Sequence, residues 1–359
     1  MKPLYIYFLA ASLACTSCSD SWLDLNPSTS VPTDQAFSSL EDAQSALNGI
    51  YRLASAHSYY GDNFFYFGDC RAADVQARMT KGDGRRVSPY YEYNVKATDS
   101  FNSSLPWNQV YKVIRQTNNL IAATESGLIK TTDEAALNEI KAQALAMRGL
   151  ALYDLIRVFA MPYSYDNGQS LGVPIVTTAT DQSSKPARNT VAECYDQIIT
   201  DLTGSLAGLS KEKKDGCLNY WAVQGILSRV YLNKLDYPNA YKAATDVIEN
   251  SKSLYQLYTR DEYPTVWGKE YTSESLFEFY FSLTEPSGGS GGEGAPMVYA
   301  NEEKCGFDFP FFQSVQKLFR IHTGTIVKGH GDLEHFFPAI LSPRLRPASI
   351  RRFLRCSLF

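Results

Sequence analysis

Histidine is scarce in this 359-residue chain: there are four, and His57 is the only one before residue 320. Catalysis or zinc binding by a histidine cluster is therefore excluded for most of the chain. Of the seven cysteines, Cys70, Cys194, Cys217, Cys305 and Cys356 never approach a C-x-x-C spacing. Cys15 and Cys18 have that spacing but end an apolar leader, which explains them better than a metal does. No excess of positive charge is present either: the net charge is −4, which gives no electrostatic footprint for nucleic acid or anionic lipid. No later segment is long and apolar enough to span a bilayer. The Gly-rich stretch SGGSGGEGAP has no GK[ST] after it, so it is a flexible loop and not a phosphate cradle. No cofactor and no metal site is expected.

Aromatic residues are abundant, at 13% of the chain with 24 Tyr and 19 Phe. Large amphipathic rings suit a surface that grips something partly apolar and partly wet, although most of them are expected to fill the core. The chain opens with one Lys and an apolar run from Leu4 to Ala14, the pattern of a signal peptide spanning 1–17. The run ends in LACTSC, where Cys15 and Cys18 both follow small or apolar residues suited to lipoprotein processing. Cys18 is the expected acylated residue, which would give a membrane anchor without a transmembrane helix.

Beyond the leader, spacings of three and four predict a mainly α chain. A helix is expected over Ser39–Ser55, started by Ser39 with Asp42, and a second near Trp107–Glu125. The third, about Asp133–Phe159, is largely apolar on its other faces as well, so it should lie between neighbours and stop before Pro162. Thr190 and Glu193 form a T-x-x-E capping box ahead of Tyr195, Ile198, Ile199, Leu202, Leu206 and Leu209. Asn219–Lys234 follows, carrying Trp221 and Gly225. A last helix has Pro238 in its first turn and Ala240, Ala244, Val247 and Ile248 inward. Helices of this length with short turns suggest tetratricopeptide-like stacked pairs, with Trp107 and Trp221 in the scaffold. SLFEFYFSL, from Ser275, reads as a strand or short buried helix.

From His57 to Pro106 the helical pattern breaks into loops and short strands rich in Tyr, Phe, Gly and Asp. Sugars present flat C–H patches edged by hydroxyls, so a glycan site needs exposed aromatic faces beside hydrogen-bonding side chains. The loop region offers Asp69, Arg71, Asp74 and Arg78 together with Tyr90, Tyr91 and Tyr93, and Trp267 lies in a later loop. The expected glycan-binding residues are Asp74, Arg78, Tyr90, Tyr91, Tyr93 and Trp267. A glycoside hydrolase is disfavoured: Asp74 as an acid would need a second carboxylate at a defined distance, and no acid/base constellation is recognisable.

Four stretches, SCSDSWLDLNP, FSSLEDAQSALNGIYRL, EIKAQALAMRGLALYDLIRVFAMPY, and CYDQIITDL with the later YWAVQGILSRVYLNKLDYPNAYKAATDVI, together resemble the SusD/RagB family. The resemblance runs from Cys18 to about Pro310. It implies a non-enzymatic, surface-exposed outer-membrane lipoprotein that captures oligosaccharide or polysaccharide on a loop-built face. It also implies delivery to a SusC-like TonB-dependent transporter. A tetratricopeptide-like scaffold for outer-membrane protein assembly is the alternative, but it would not need the aromatic stretch 57–106.

The family pattern stops near residue 310. From Gln313 to Phe359 there are eight Lys/Arg and two Asp/Glu, leaving 26 basic and 36 acidic residues in the rest. Three of the four histidines also lie there. The change predicts that 18–310 is an incomplete SusD-like helical domain and 311–359 a foreign basic tail. A frame shift and premature stop would produce it; a natural basic terminus is the alternative.

Overall fold

The computed structural model describes residues 37–61, 64, 68, 92–94, 106–178, 184–251, 254–259, 262 and 269–280. The leader with Cys15 and Cys18, and the 311–359 tail, lie outside the described residues. Among the described residues there are six α-helices: α1 (Leu40–Ala54), α2 (Trp107–Glu125), α3 (Glu134–Phe159), α4 (Val191–Ser205), α5 (Tyr220–Asn233) and α6 (Tyr237–Asn250). A short kinked helix, His57–Gly61, follows α1, and a single 3-10 turn, Tyr163–Tyr165, follows α3. Each helix packs against the next in sequence, and α3 also touches α1 and α5. This is the stacked-pair architecture the spacings predict. No helix among the described residues is long and apolar enough to cross a membrane.

The helix starts are chemical. At α1 the Ser39 hydroxyl accepts from the Asp42 amide, and the Asp42 carboxylate accepts from the Ser39 amide in return. Thr190 and Glu193 do the same at α4, where Glu193 accepts from the Thr190 amide at 2.8 Å. Asp133, Asn219 and Asp236 cap α3, α5 and α6 through single side-chain bonds. Pro238 sits in the first turn of α6, where a missing N–H costs nothing. At the other end of α3, Ala160 turns extended and Pro162 follows.

Helix α3 is the axis of the core. Sixteen of its 26 residues are buried, and from Ala146 to Ile156 the burial is unbroken, so that stretch leaves no face to water and shows no amphipathic stripe. It approaches α4 closely at Gly149: a Cβ there would lie 2.9 Å from Leu202 Cγ and 3.3 Å from Asp201 Cβ. Beside that crossing Arg148 donates to both oxygens of Asp201, at 2.8 and 2.6 Å. Its remaining N–H groups reach Asn118 Oδ1 on α2 and the Thr177 carbonyl, at 2.9 and 3.1 Å. One guanidinium thus ties three helices and the α3–α4 connection. Farther along the stack the Tyr51 hydroxyl donates to Gln143 Oε1 at 2.8 Å and accepts from the Leu218 amide at 3.0 Å.

Three local expectations differ from the structure. Helix α4 ends at Ser205, with Leu206 as its cap, so Leu209 is buried from a turn instead of a helical stripe. In α6 the buried pair is Ala240 and Ala243, while Ala244, Val247 and Ile248 are half-buried, because α5 is its chief neighbour among the described elements. Residues 275–280 form neither strand nor helix, and pairing of extended backbone among the described residues amounts to two isolated bridges, Ser39 with Lys130 and Leu171 with Thr190. Phe277 and Phe279 are partly buried and pack on the core. Trp221 is buried and donates its Nε1–H to the Lys211 carbonyl at 2.9 Å, and Trp107 packs on the core, so both belong to the scaffold.

Candidate functional site

The sequence-predicted site falls mostly beyond what the structure describes. Asp74, Arg78, Tyr90, Tyr91 and Trp267 lie outside the described residues. Tyr93 is described: it is 68% exposed and its backbone has φ 54°, a left-handed conformation that a tyrosine adopts only when its surroundings require it. What the structure supplies is the ground under the described residues that border these segments.

That ground is the C-terminal end of α3. Asp154 is 1% exposed, and its Oδ2 accepts hydroxyl hydrogens from Tyr59 and Tyr60, each at 2.5 Å. Its Oδ1 is ion-paired with Arg157, one turn along. The Arg157 guanidinium lies 5.3 Å from the centre of the Phe64 ring and 4.8 Å from that of Tyr153, within cation–π range. The Tyr153 hydroxyl accepts from Asn233 on α5. Gly61 closes the short helix with its amide on the Ala56 carbonyl at 2.9 Å. A Cβ on Gly61 would sit 2.7 Å from that same oxygen, so only glycine fits the turn that launches the 62–105 stretch.

Rings extend the cluster to a second chain segment. Tyr60 stacks obliquely on Phe279 with centroids 4.5 Å apart, and Phe279 meets Phe277 at 4.8 Å. Phe277 in turn lies 6.2 Å from Tyr51 of α1. The far end of the 62–105 stretch returns to the same helix end: Trp107 packs edge-on against Phe159 at 4.9 Å. The described residues at both ends of that stretch therefore rest on the last turns of α3, and Phe279 of the segment following Trp267 rests on Tyr60.

The electrostatics fit a fixed anchor. Burial, and then the Asp154 charge, push the Tyr59 and Tyr60 hydroxyls well above the usual tyrosine range, so both stay protonated and donating. Burial works against the Arg157 charge, but Asp154 outweighs it and the guanidinium is held more firmly cationic. Burial, and then neighbouring Arg157, lower Arg229 from its ordinary value. With both oxygens engaged and the side chain shut off from solvent, Asp154 is not presented to a substrate. Among the described residues no three His, Cys, Asp or Glu side chains gather as a metal site. Sequence reading missed Asp154 and Arg157 as site-forming residues. Their signal was present: charged residues within the apolar run Leu150–Phe159 demand partners.

Comparison with known proteins follows the same lines. The SusD-like family model described as starch-binding associating with outer membrane matches residues 21–232. A solved SusD superfamily protein from Bacteroides thetaiotaomicron superimposes with a TM-score of 0.70 at 63% identity, over 76% of this chain and 59% of that one. A SusD-like protein of Bacteroides ovatus is 26% identical over 262 residues, covering 70% of this chain and 45% of the relative. Another, from Formosa agariphila, is 29% identical over 300 residues, covering 81% and 55% respectively. The chain thus spans about half the length of the curated relatives it matches.

Proposed function

We propose that this chain, which belongs to the SusD-like family, is a cell-surface lipoprotein that captures oligosaccharide or polysaccharide and delivers it to a SusC-like TonB-dependent transporter. Capture is binding without chemistry. Asp74, Arg78, Tyr90, Tyr91, Tyr93 and Trp267 form the glycan face, and acylated Cys18 holds the protein at the outer membrane.

The observation that carries the reading is the common footing of two chain segments. Tyr60 and Phe279 meet over α3, and the chain leads from them into the stretches that bear the candidate tyrosines and Trp267. Aromatic residues outside the helical stripes, beside hydrogen-bonding side chains, are what a sugar's alternating C–H and hydroxyl surface requires. The family description supports a starch-like ligand class.

The test is retention in affinity gels cast with starch, laminarin, xylan or pectin, alongside a reducing-end assay. Retarded migration on at least one polysaccharide without released product is the expected result. Free migration on all of them overturns the glycan reading, and new reducing ends overturn its non-enzymatic part. Fatty-acid labelling tests the anchor: label should vanish in Cys18→Ala and persist in Cys15→Ala. Co-purification with a TonB-dependent transporter tests the delivery partner.

A further inference from the structure

We infer that Asp154 is a positioning residue for ligand capture: its carboxylate fastens Tyr59 and Tyr60, at the start of the 57–106 segment, to the end of α3, and through the Tyr60–Phe279 contact it fastens the 269–280 segment as well. The inference rests on the glycan reading for the purpose of that arrangement, but the fastening itself stands on geometry. Asp154 contacts no proposed glycan ligand and acts only through what it holds.

Three features separate this carboxylate from one that merely stabilises a helix bundle. Its tyrosine partners lie 95 and 94 residues away in sequence and belong to no long helix; they occupy the short kinked turn from which the aromatic stretch departs. The two hydroxyls share one oxygen, so loss of the carboxylate releases both together. Tyr60 also carries the ring contact to Phe279, so one acid governs two segments far apart in sequence. The Trp107–Phe159 contact pins the returning end of the stretch a turn beyond. A binding face built on loops gains affinity by being held ready, since the ordering cost is met before the ligand arrives.

The experiment compares the full chain with Tyr59→Phe/Tyr60→Phe, which keeps both rings and removes both donors, and with Asp201→Asn as a control. Asp201 is an equally buried, ion-paired acid, but it joins helices only. Two readouts are taken well below the unfolding midpoint: tryptic cleavage at Lys81, Arg85 and Arg86 inside the segment, and retention on whichever starch, laminarin, xylan or pectin gel holds the unmodified chain. The double variant should be cleaved in the segment about tenfold faster and lose about tenfold in affinity, a loss of order one anchoring hydrogen-bond pair. Asp201→Asn should leave both readouts near the unmodified values while lowering the unfolding midpoint. If the double variant does not fold, Tyr60→Phe alone is measured, with smaller changes of the same sign expected. Equal cleavage and equal retention in the tyrosine variants overturn the inference. So does a loss in Asp201→Asn matching theirs, because the effect would then be general softening. If no gel retains the unmodified chain, the glycan reading fails, and the cleavage rates alone decide whether Asp154 fastens the segment.

Discussion

Two buried carboxylates in this protein are alike in chemistry and opposite in use. Asp201, 2% exposed, receives a two-pronged guanidinium from Arg148, and every further partner of that arginine belongs to a helix or to the α3–α4 connection. Asp154, 1% exposed, receives a guanidinium from its own helix and two hydroxyls from a segment that is not part of the stack. The first acid joins rigid body to rigid body, so its loss is felt by the whole fold. The second joins rigid body to loop, so its loss is felt locally. A buried charge is thus no measure of stability until one asks what stands on the other side of it.

Asp201→Ala should produce the largest effect. It leaves Arg148 buried without its carboxylate, which typically costs about 3–5 kcal/mol. Denaturant unfolding should show the midpoint falling while the slope is unchanged. Asp154→Ala should cost less, about 1–3 kcal/mol, because the Arg157 side chain is 17% exposed and can turn toward water. Equal losses from the two substitutions would erase the distinction between the clamps.

Alkaline pH sharpens the comparison next, because only the Asp154 cluster contains tyrosines. The Tyr59 and Tyr60 hydroxyls have folded-state values raised by burial and then by Asp154, with Arg157 and Arg229 also facing Tyr60. Below about pH 10 the unfolded chain keeps its tyrosine protons too, and nothing is lost. Above that, the unfolded state releases protons that the native state retains, so stability falls as pH rises. Titration followed by tyrosinate absorbance should show two fewer late-titrating groups in Tyr59→Phe/Tyr60→Phe than in the unmodified chain. The same count in both would place these hydroxyls in contact with water.

The smallest effect concerns neither clamp. Thr190→Ala removes half of the α4 capping box and should cost about 1 kcal/mol by thermal or denaturant melting. The Glu193 carboxylate is held below its ordinary range by the Thr190 amide, then by the Thr190 hydroxyl. Its contribution is present above the ordinary carboxylate value and fades as pH falls through the lowered one, a dependence the variant should blunt.

The helices were legible in the sequence for local reasons. The second expected helix, near Trp107–Glu125, has the extent of α2, and the two capping boxes are formed as their side-chain spacing required. Legibility ended where partners come from afar. Nothing near Asp154 announces Tyr59 or Tyr60, and nothing near Phe279 announces Tyr60. The choice of Ala243 over Ala244 as the buried residue of α6 depends on a crossing angle that no spacing encodes. As for the site residues, only Tyr93 is among the described ones.

The Tyr51 hydroxyl has a consequence for the order in which the chain assembles. It bonds to Gln143 across 92 residues of sequence and to Leu218 across 167, whereas α2 with α3, and α3 with α4, are sequence neighbours. Contacts between neighbours close small loops and form early, and contacts over such separations meet the entropy of a long loop and form late. The tyrosine is therefore a latch closed after the helix pairs have packed. A latch closed after the rate-limiting step slows opening without hastening assembly. Stopped-flow mixing should accordingly find Tyr51→Phe unfolding faster than the unmodified chain while refolding at the same rate.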